Sequence, residues 1–177
     1  MISEEFYLAR IREAVQARAQ IGILDSKETN VFRLVNAEGD GLPGLIIDYY
    51  DGTAVMQFHS IGMHKHRELL IKGLHDSLGE RLSTVYDKSA STLPTRYGAG
   101  YKNEYLSGTR GNDIVREHGN QFSIDWEIGQ KTGFFIDQRE NRKLIGEYVA
   151  GRKVLNLFGY TGGFSVYGRP GGAEGVR

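Results

Sequence analysis

No cysteine occurs among the 177 residues of this chain, which excludes disulfides, thiolate metal ligands and a cysteine nucleophile. Neither sign of charge is in excess, because 22 basic and 22 acidic side chains cancel, so no overall field draws the protein toward nucleic acid or an anionic membrane. No apolar run approaches the ~18 residues of a membrane span, and the acidic N-terminus does not have the layout of a signal peptide. We therefore predict a cytoplasmic protein that does not contact membranes.

Glycine is the residue type in clear excess, since 24 glycines are about twice the usual share of ~7%. Many of them lie in residues 98–119 or after position 159. The first region belongs to a longer glycine-dotted stretch, residues 88–120, which we predict to be a loop. A loop of that length is usually functional or mobile.

The hydrophobic pattern predicts a linker helix in residues 1–27 and a small α+β domain in residues 28–126, with a mainly antiparallel sheet. The expected order is three strands, a helix, a strand, the long loop and a last strand. The predicted strands are residues 31–35, 45–50, 53–58, 82–86 and 121–126, and the predicted helix is residues 63–78.

Two local signals support these elements. Ser3 is placed to cap the first helix, because its side-chain oxygen can accept a hydrogen bond from a free N–H of the first turn. The dipeptide Asp51-Gly52 separates two β-rich runs, and this pair is typical of a type I′ hairpin turn, in which both residues need positive φ. A hairpin is therefore expected at this point.

A second domain of Rossmann-like α/β type is expected to begin in residues 127–177. Asp137 is expected to cap a helix over residues 138–150, with Glu140 completing a capping-box pattern. The run at 153–158 is apolar on both faces, as is typical of a central strand in a parallel sheet. The apolar side of the predicted helix consists of Leu144, Ile145, Tyr148 and Val149.

A glycine turn, Gly159-Tyr160-Thr161-Gly162-Gly163, follows this predicted strand. Glycines allow the backbone to approach a ligand closely, and three interpretations stay open: a structural tight turn, a dinucleotide site or an S-adenosylmethionine (SAM) site. A helix directly after Phe164 is disfavoured by Gly168 and Pro170, which cost ~1 and ~3 kcal/mol within a helix.

Other chemistry-bearing side chains also allow two interpretations. A basic patch is either a solvated helix face or a contact to RNA or cofactor, and it comprises Lys131, Arg139, Arg142 and Lys143. Phe134 and Phe135 either stack on a base or pack in a core. His64 and His66 are two residues apart and do not share a helix face, so no metal site is predicted.

Three separate stretches resemble one protein family. They are GQKTGFFIDQRENR at 129–142, VLNLFGYTGGF at 154–164 and EGDGLPGLIID at 38–48. Together they resemble the RlmI-like group of class I SAM-dependent 23S rRNA (cytosine-5) methyltransferases. The resemblance implies a central α+β domain followed by a Rossmann-like SAM-binding domain. It also implies an internal fragment that lacks most of an RNA-holding PUA domain and most of the catalytic domain.

The resemblance further implies that SAM is the cofactor and ribosomal RNA the partner of the intact protein. A homodimer, in which another chain supplies the missing strand, is a separate expectation. In the family, a thiolate adds to C6 of cytosine, so no catalytic residue is assigned in a chain without cysteine. The alternatives are a non-catalytic RNA-binding or assembly module and a dinucleotide-dependent oxidoreductase fragment. The implied cofactor-binding residues are Lys131, Phe135, Asp137, Gln138, Arg139, Asn156, Phe158, Gly159, Tyr160, Thr161, Gly162 and Gly163.

Overall fold

A computed structural model describes residues 3–176 and contains a five-stranded sheet with strands in sequential order. All neighbouring pairs are antiparallel except the third and fourth strands, which are parallel. The expected mixed fold with a mainly antiparallel sheet is therefore confirmed. The strands are β1 (Val31–Asn36), β2 (Leu45–Tyr50), β3 (Thr53–Phe58), β4 (Thr84–Asp87) and β5 (Glu104–Ser107).

Helix α1 (Glu4–Gln20) begins as predicted, because the Ser3 side chain accepts a hydrogen bond from the Phe6 amide at 3.3 Å. The β2–β3 hairpin also agrees with the sequence, since Asp51 and Gly52 adopt φ angles of 42° and 96°. The helix predicted at 63–78 is divided in two: α2 (Ile61–Lys65) and α3 (Arg67–Leu78) are separated by His66 at φ −103° and ψ 17°.

Helices α1 and α3 cover one face of the sheet and bury the larger hydrophobic cluster. Gly73 on α3 allows the two helices to lie close together, because a Cβ at this position would lie 3.2 Å from Cβ of Ile11. The fully buried members of this cluster include Ile11, Leu34, Leu42, Leu45, Ile47, Met56, Phe58, Leu70 and Leu74. The crossover between the parallel strands β3 and β4 thus contributes much of the core.

The prediction that residues 88–120 form one long loop is wrong, because this stretch contains β5 and β6 (Ile114–Glu117). Strand β6 pairs with β7 (Asn120–Ser123) through a tight turn in which His118 and Gly119 adopt φ angles of 48° and 78°. The predicted strand at 121–126 therefore ends early. The four-residue strands β5 and β6 are too short to give a clear alternating pattern, which explains the wrong prediction.

The β6–β7 hairpin lies at the opposite face of the sheet from α1 and α3. Trp126 and Phe134 are fully or almost fully buried there, in a cluster that also contains Tyr50 of β2 and Phe122 of β7. Side chains from both sides of the domain boundary predicted near residue 126 therefore share one core. That boundary remains a prediction, as does the one at residue 27.

The last part of the chain contains short elements. A 3₁₀ turn (Ile136–Gln138) leads into α4 (Arg139–Tyr148), and then β8 (Lys153–Val154) pairs in parallel with β9 (Gly175–Val176). The strand predicted at 153–158 is thus limited to two residues. A six-residue helix, α5 (Gly163–Gly168), does follow the glycine turn, contrary to expectation, and it ends before Pro170.

The apolar side of α4 differs from the predicted one. Leu144 and Tyr148 are exposed, whereas Val149 is buried. Leu155, Leu157 and Phe158 are also exposed, so this run is not the buried central strand that its composition indicates. The two-residue β8–β9 pair is too small to cover these side chains.

Asp137 is not the N-cap of α4, contrary to the capping-box prediction. It lies inside the 3₁₀ turn, and the N-cap position is occupied by Gln138, which makes no side-chain capping bond. The 3₁₀ turn shifts the start of the α-helix by one residue and moves the carboxylate away from the free amides. Within residues 3–176, no helix is long and apolar enough to cross a membrane.

Truncating Leu74 to alanine should lower the free energy of unfolding by about 2–5 kcal/mol, because it removes a fully buried side chain between α3 and the sheet. Leu144→Ala is the matched control, and its half-exposed side chain on α4 should cost less than about 1 kcal/mol. Urea unfolding followed by the fluorescence of Trp126, the single tryptophan, measures both. Equal losses would show that α4 contributes as much core as α3.

Candidate functional site

A cleft of about 610 Å³ lies between the loop that precedes α4 and the glycine turn that precedes α5. Seven of the predicted cofactor residues line it: Phe135, Gln138, Phe158, Gly159, Tyr160, Thr161 and Gly163. Gln130, Arg142 and Phe164 also line it and were not among the implied cofactor-binding residues, although Arg142 belonged to the predicted basic patch. The first two belong to the 129–142 motif and the third to the 154–164 motif. Two motifs that are separate in sequence therefore form opposite walls of one cleft.

The glycine turn has an unusual backbone, with left-handed φ angles of 47° at Tyr160 and 71° at Gly162, and Phe158 just before the turn also has a left-handed φ of 58°. The Gly162 amide donates to the Gly159 carbonyl at 2.7 Å, which closes the turn. Asn156 lies behind it and donates from Nδ2 to Ser165 Oγ at 2.9 Å. A Cβ on Gly159 would lie 3.0 Å from that amide nitrogen, so glycine allows this close approach.

Tyr160 joins the two walls of the cleft. Its hydroxyl accepts a hydrogen bond from the backbone N–H of Gln130 at 2.8 Å and donates to the backbone carbonyl of Gly133 at 3.3 Å. Its ring also contacts the Phe135 ring edge-on, with centroids 5.3 Å apart. A Cβ on Gly129 would overlap the backbone carbonyl oxygen of Asp125 and would also lie 2.8 Å from the Tyr160 hydroxyl, so glycine is required there.

Lys131 does not line the cleft, but it lies over the ring of Phe135, which does. Its Nζ is 4.5 Å from the centroid of the Phe135 ring and 3.9 Å from a carboxylate oxygen of Asp137. A half-exposed cation over an aromatic face is a weak interaction that leaves the ammonium group accessible. Lys131 can therefore contact an anionic group at the mouth of the cleft.

Asp137 and Arg139 do not line this cleft. They line a second depression of about 480 Å³ between the end of α1 and strand β1, together with Arg18 and Arg33. Arg139 donates from Nη2 to the Val31 carbonyl at 2.6 Å, and therefore contacts the central sheet. The structure thus places these two residues outside the cleft, with Asp137 still 3.9 Å from Lys131.

The basic patch is divided in the same way. Arg142 is almost completely buried, and it donates through Nε and Nη2 to both carboxylate oxygens of Glu117 at 2.7 Å. Lys143 is exposed, and Arg139 lies 3.6 Å from Glu117. The patch is therefore neither a fully solvated face nor a free anion site. Glu117 lies in the stretch predicted to be a loop, so its role was missed.

The Glu117–Arg142 pair makes further contacts with α5 and with the loop before α4. The Tyr167 hydroxyl of α5 donates to the Glu117 carboxylate at 3.1 Å, and desolvation, followed by the negative charge of Glu117, raises the pKa of Tyr167. Arg142 also donates to the Phe135 carbonyl at 2.9 Å and lies over the Phe134 ring. Phe134 is thus a core residue, while Phe135 faces the cleft.

Residues 3–176 contain no group of three or more histidine, cysteine, aspartate or glutamate side chains arranged to hold a metal ion.

The family model for S-adenosylmethionine-dependent methyltransferases matches residues 47–177, which is more than half of the chain. The chain belongs to this methyltransferase family. The predicted resemblance to RlmI-like enzymes is also confirmed, because the similar curated proteins are ribosomal RNA large subunit methyltransferases.

Two relatives illustrate the similarity of this methyltransferase chain. It is 39% identical over 176 residues to YwbD of Bacillus subtilis, a candidate ribosomal RNA large subunit methyltransferase, covering 98% of this chain and 43% of the relative. It is 36% identical over 176 residues to ribosomal RNA large subunit methyltransferase I of Alteromonas mediterranea, covering 99% of this chain and 43% of the relative. The chain therefore spans less than half the length of the curated relatives that it matches.

Solved structures share the fold of the methyltransferase chain. A candidate SAM-dependent methyltransferase from Streptococcus mutans superimposes with a TM-score of 0.84 at 24% identity, covering 99% of this chain and 44% of that one. A second structure with the same score, identity and coverage is a candidate methyltransferase in complex with SAH. At this level of identity the likeness establishes the fold alone.

Replacing Glu117 by glutamine should lower the free energy of unfolding by about 3–5 kcal/mol, because it leaves the buried guanidinium of Arg142 without its counter-charge. Glu140→Gln is the control, since Glu140 is exposed and lies 3.9 Å from His118, and it should change stability by less than about 1 kcal/mol. Chemical denaturation of both variants measures the difference. A loss of similar size in both variants would contradict a special role for the buried pair.

Proposed function

We propose that this chain forms the part of a SAM-dependent ribosomal RNA methyltransferase that binds the methionine and ribose portions of SAM. The observation that carries the proposal is the convergence of two separate sequence motifs, at 129–142 and 154–164, on one cleft. The curated relatives support ribosomal RNA as the substrate class. Cytosine C5 is the methylated position that the motif resemblance favours.

The cleft fits a ligand of this size, because its volume of about 610 Å³ lies within the usual ~300–1,000 Å³ of small-molecule sites. Gly159 and Gly163 line the cleft without side chains, so a ligand can approach the backbone of the glycine turn closely at these two positions. Phe135 and Gln138 would bind from one side, and Gly159, Tyr160 and Thr161 from the other. SAM supplies an electrophilic methyl group, and the role of these residues is to bind and orient it.

The chain by itself is expected to bind SAM weakly. Phe158 is fully exposed and the Tyr160 side chain is half exposed, so neither side chain excludes water from the cleft. Arg142 lines the cleft, but its guanidinium is already paired with Glu117 and is not free to bind the cofactor. We therefore expect a dissociation constant in the millimolar range.

Methyl transfer needs groups that this sequence does not contain. Methylation at C5 of cytosine proceeds through covalent addition to the base, which requires a nucleophile such as a thiolate, and no cysteine is present. The base must also leave its stack to reach the cofactor. The proposed contribution of this chain is therefore cofactor binding without catalysis.

Titration with SAH to several millimolar should shift the backbone amide resonances of residues 159–163 and of Gln138 in a ¹H–¹⁵N NMR spectrum. SAH is the appropriate probe because it shares all SAM groups except the methyl and does not react. Shifts confined to these amides support the proposed cleft. The absence of shifts, or shifts confined to the depression beside Arg33, would contradict it. A parallel titration with NAD is the comparison, and larger shifts with NAD than with SAH would favour a dinucleotide site.

Thr161→Trp should abolish the SAH-induced shifts, because the exposed Thr161 lines the cleft and an indole would fill it. Thr95→Trp is the matched control, since Thr95 is exposed in the segment between β4 and β5, and its shifts should equal those of the wild type. Equal responses of the two variants would place the ligand outside the cleft.

The chain should transfer no methyl group to ribosomal RNA. Incubation of protein of verified mass with radiolabelled SAM and 23S rRNA should leave the RNA unlabelled, because no cysteine is available to form the cytosine adduct. A longer homologous methyltransferase, assayed in parallel, shows that the RNA is a competent substrate. Labelled 5-methylcytosine produced by this chain would refute the proposal of binding without catalysis.

A further inference from the structure

Thr132 lies in the middle of the 129–142 motif and is almost completely buried. Its Oγ1 is 2.6 Å from Oδ2 of Asp48 and 2.8 Å from the Tyr50 hydroxyl. An ionised carboxylate can only accept hydrogen bonds, so the Thr132 hydroxyl donates to Asp48 and accepts from Tyr50. The direction of this chain of hydrogen bonds is therefore fixed by its chemistry.

Asp48 is itself held firmly in the central sheet. It is fully buried on β2, directly opposite Arg33 on β1, and it accepts from Arg33 Nε at 2.8 Å and from Nη2 at 3.1 Å. A bidentate arginine–carboxylate pair fixes both the position and the plane of the carboxylate. Thr132 is consequently bonded to a carboxylate that the sheet holds in place.

The residues on either side of Thr132 adopt backbone angles that need support. Lys131 has a φ of 50° and Gly133 a φ of 120°. A Cβ on Gly133 would lie 2.9 Å from the Ile124 side chain and 3.0 Å from Cα of Trp126, so this segment fits closely against the core. Non-glycine residues with positive φ persist where surrounding contacts hold them.

The same short segment contacts the glycine turn. The Gln130 amide and the Gly133 carbonyl both bond the Tyr160 hydroxyl, one on each side of Thr132. Any displacement of residues 130–133 therefore moves the groups that hold Tyr160. The Thr132 side chain does not line the cleft, so its influence on the cleft is indirect.

We propose that Thr132 is a positioning residue, whose hydroxyl ties residues 130–133 to Asp48 in the central sheet and thereby sets the position of Tyr160 and the glycine turn. The consequence for cofactor affinity rests on the proposed function. The positioning itself does not, because it is a property of the chain without ligand.

The test is the exchange of backbone amide hydrogens in the intact chain without ligand. Thr132→Val keeps the shape and removes the hydroxyl, and it should accelerate exchange at Gln130 and Gly133 about 10- to 100-fold, the range for one hydrogen bond to a charged group. Trp126 is buried beside Gly133, and its fluorescence emission should shift to longer wavelength as water gains access. Thr132→Ser retains the hydroxyl and should restore both signals to near the wild-type values.

Thr53→Val is the matched control. Thr53 is equally buried on the neighbouring strand β3, but its Oγ1 makes no hydrogen bond within the described residues 3–176. This variant should leave exchange at Gln130 and Gly133 unchanged. If Thr132→Val accelerates hydrogen exchange equally at amides throughout β2 and β3, the substitution only destabilises the whole fold, and the proposal is overturned. Unchanged exchange at Gln130 and Gly133 would overturn it as well.

SAH titration separates this inference from the proposed function. If SAH shifts the amides of residues 159–163 in the wild type, Thr132→Val should reduce the shifts and Thr132→Ser should restore them. Full shifts in Thr132→Val would overturn the link between Thr132 and the cleft. If the wild type does not bind SAH, the proposed function fails, and the exchange and fluorescence results still decide whether Thr132 positions the loop.

Discussion

The ion pair between Glu117 and Arg142 is the interaction on which the arrangement of the last 60 or so residues depends. It joins the β6–β7 hairpin to α4, and Tyr167 of α5 donates to the same carboxylate. Desolvation of two charges is costly, and it is offset here because both carboxylate oxygens accept from Arg142, Oε1 also accepts from Tyr167, and the guanidinium also donates to the Phe135 carbonyl. The pair thereby sets the position of α4 and α5 against the central sheet, and the cleft lies between the segments that precede these two helices.

The two walls of the cleft differ in how firmly the rest of the protein holds them. The wall formed by residues 129–135 is anchored through Thr132 to the buried Asp48, and its glycines fit closely against Asp125 and Trp126. The opposite wall follows a two-residue strand, and the neighbouring Leu155, Leu157 and Phe158 are exposed. One wall is thus rigid because it belongs to the core, while the other is held mainly by Tyr160 and by contacts of α5. This asymmetry is the physical reason for expecting weak binding of cofactor by the chain alone.

The success of sequence-based prediction depended on whether a signal was local. Ser3 as an N-cap and Asp51-Gly52 as a hairpin turn require only neighbouring residues, and both are confirmed. The motif resemblance also depends on contiguous residues, and it led to the correct family. The capping role of Asp137 was wrong because a 3₁₀ turn precedes α4, and the strand at 153–158 was wrong because an apolar run does not specify which partners will cover it.

The sequence by itself determined the family, the two motifs of the cleft and most of the first four strands, because these depend on local propensity and on contiguous patterns. Only the tertiary structure decided which members of each motif face the cleft. Phe135 and Gln138 line it, whereas Asp137 and Arg139 line a separate depression beside α1 and β1, and Arg142 is paired with a glutamate 25 residues earlier. The physical reason is that the direction of a side chain within a loop is set by long-range contacts, such as those of Asp48 and Glu117, whose partners are far away in sequence.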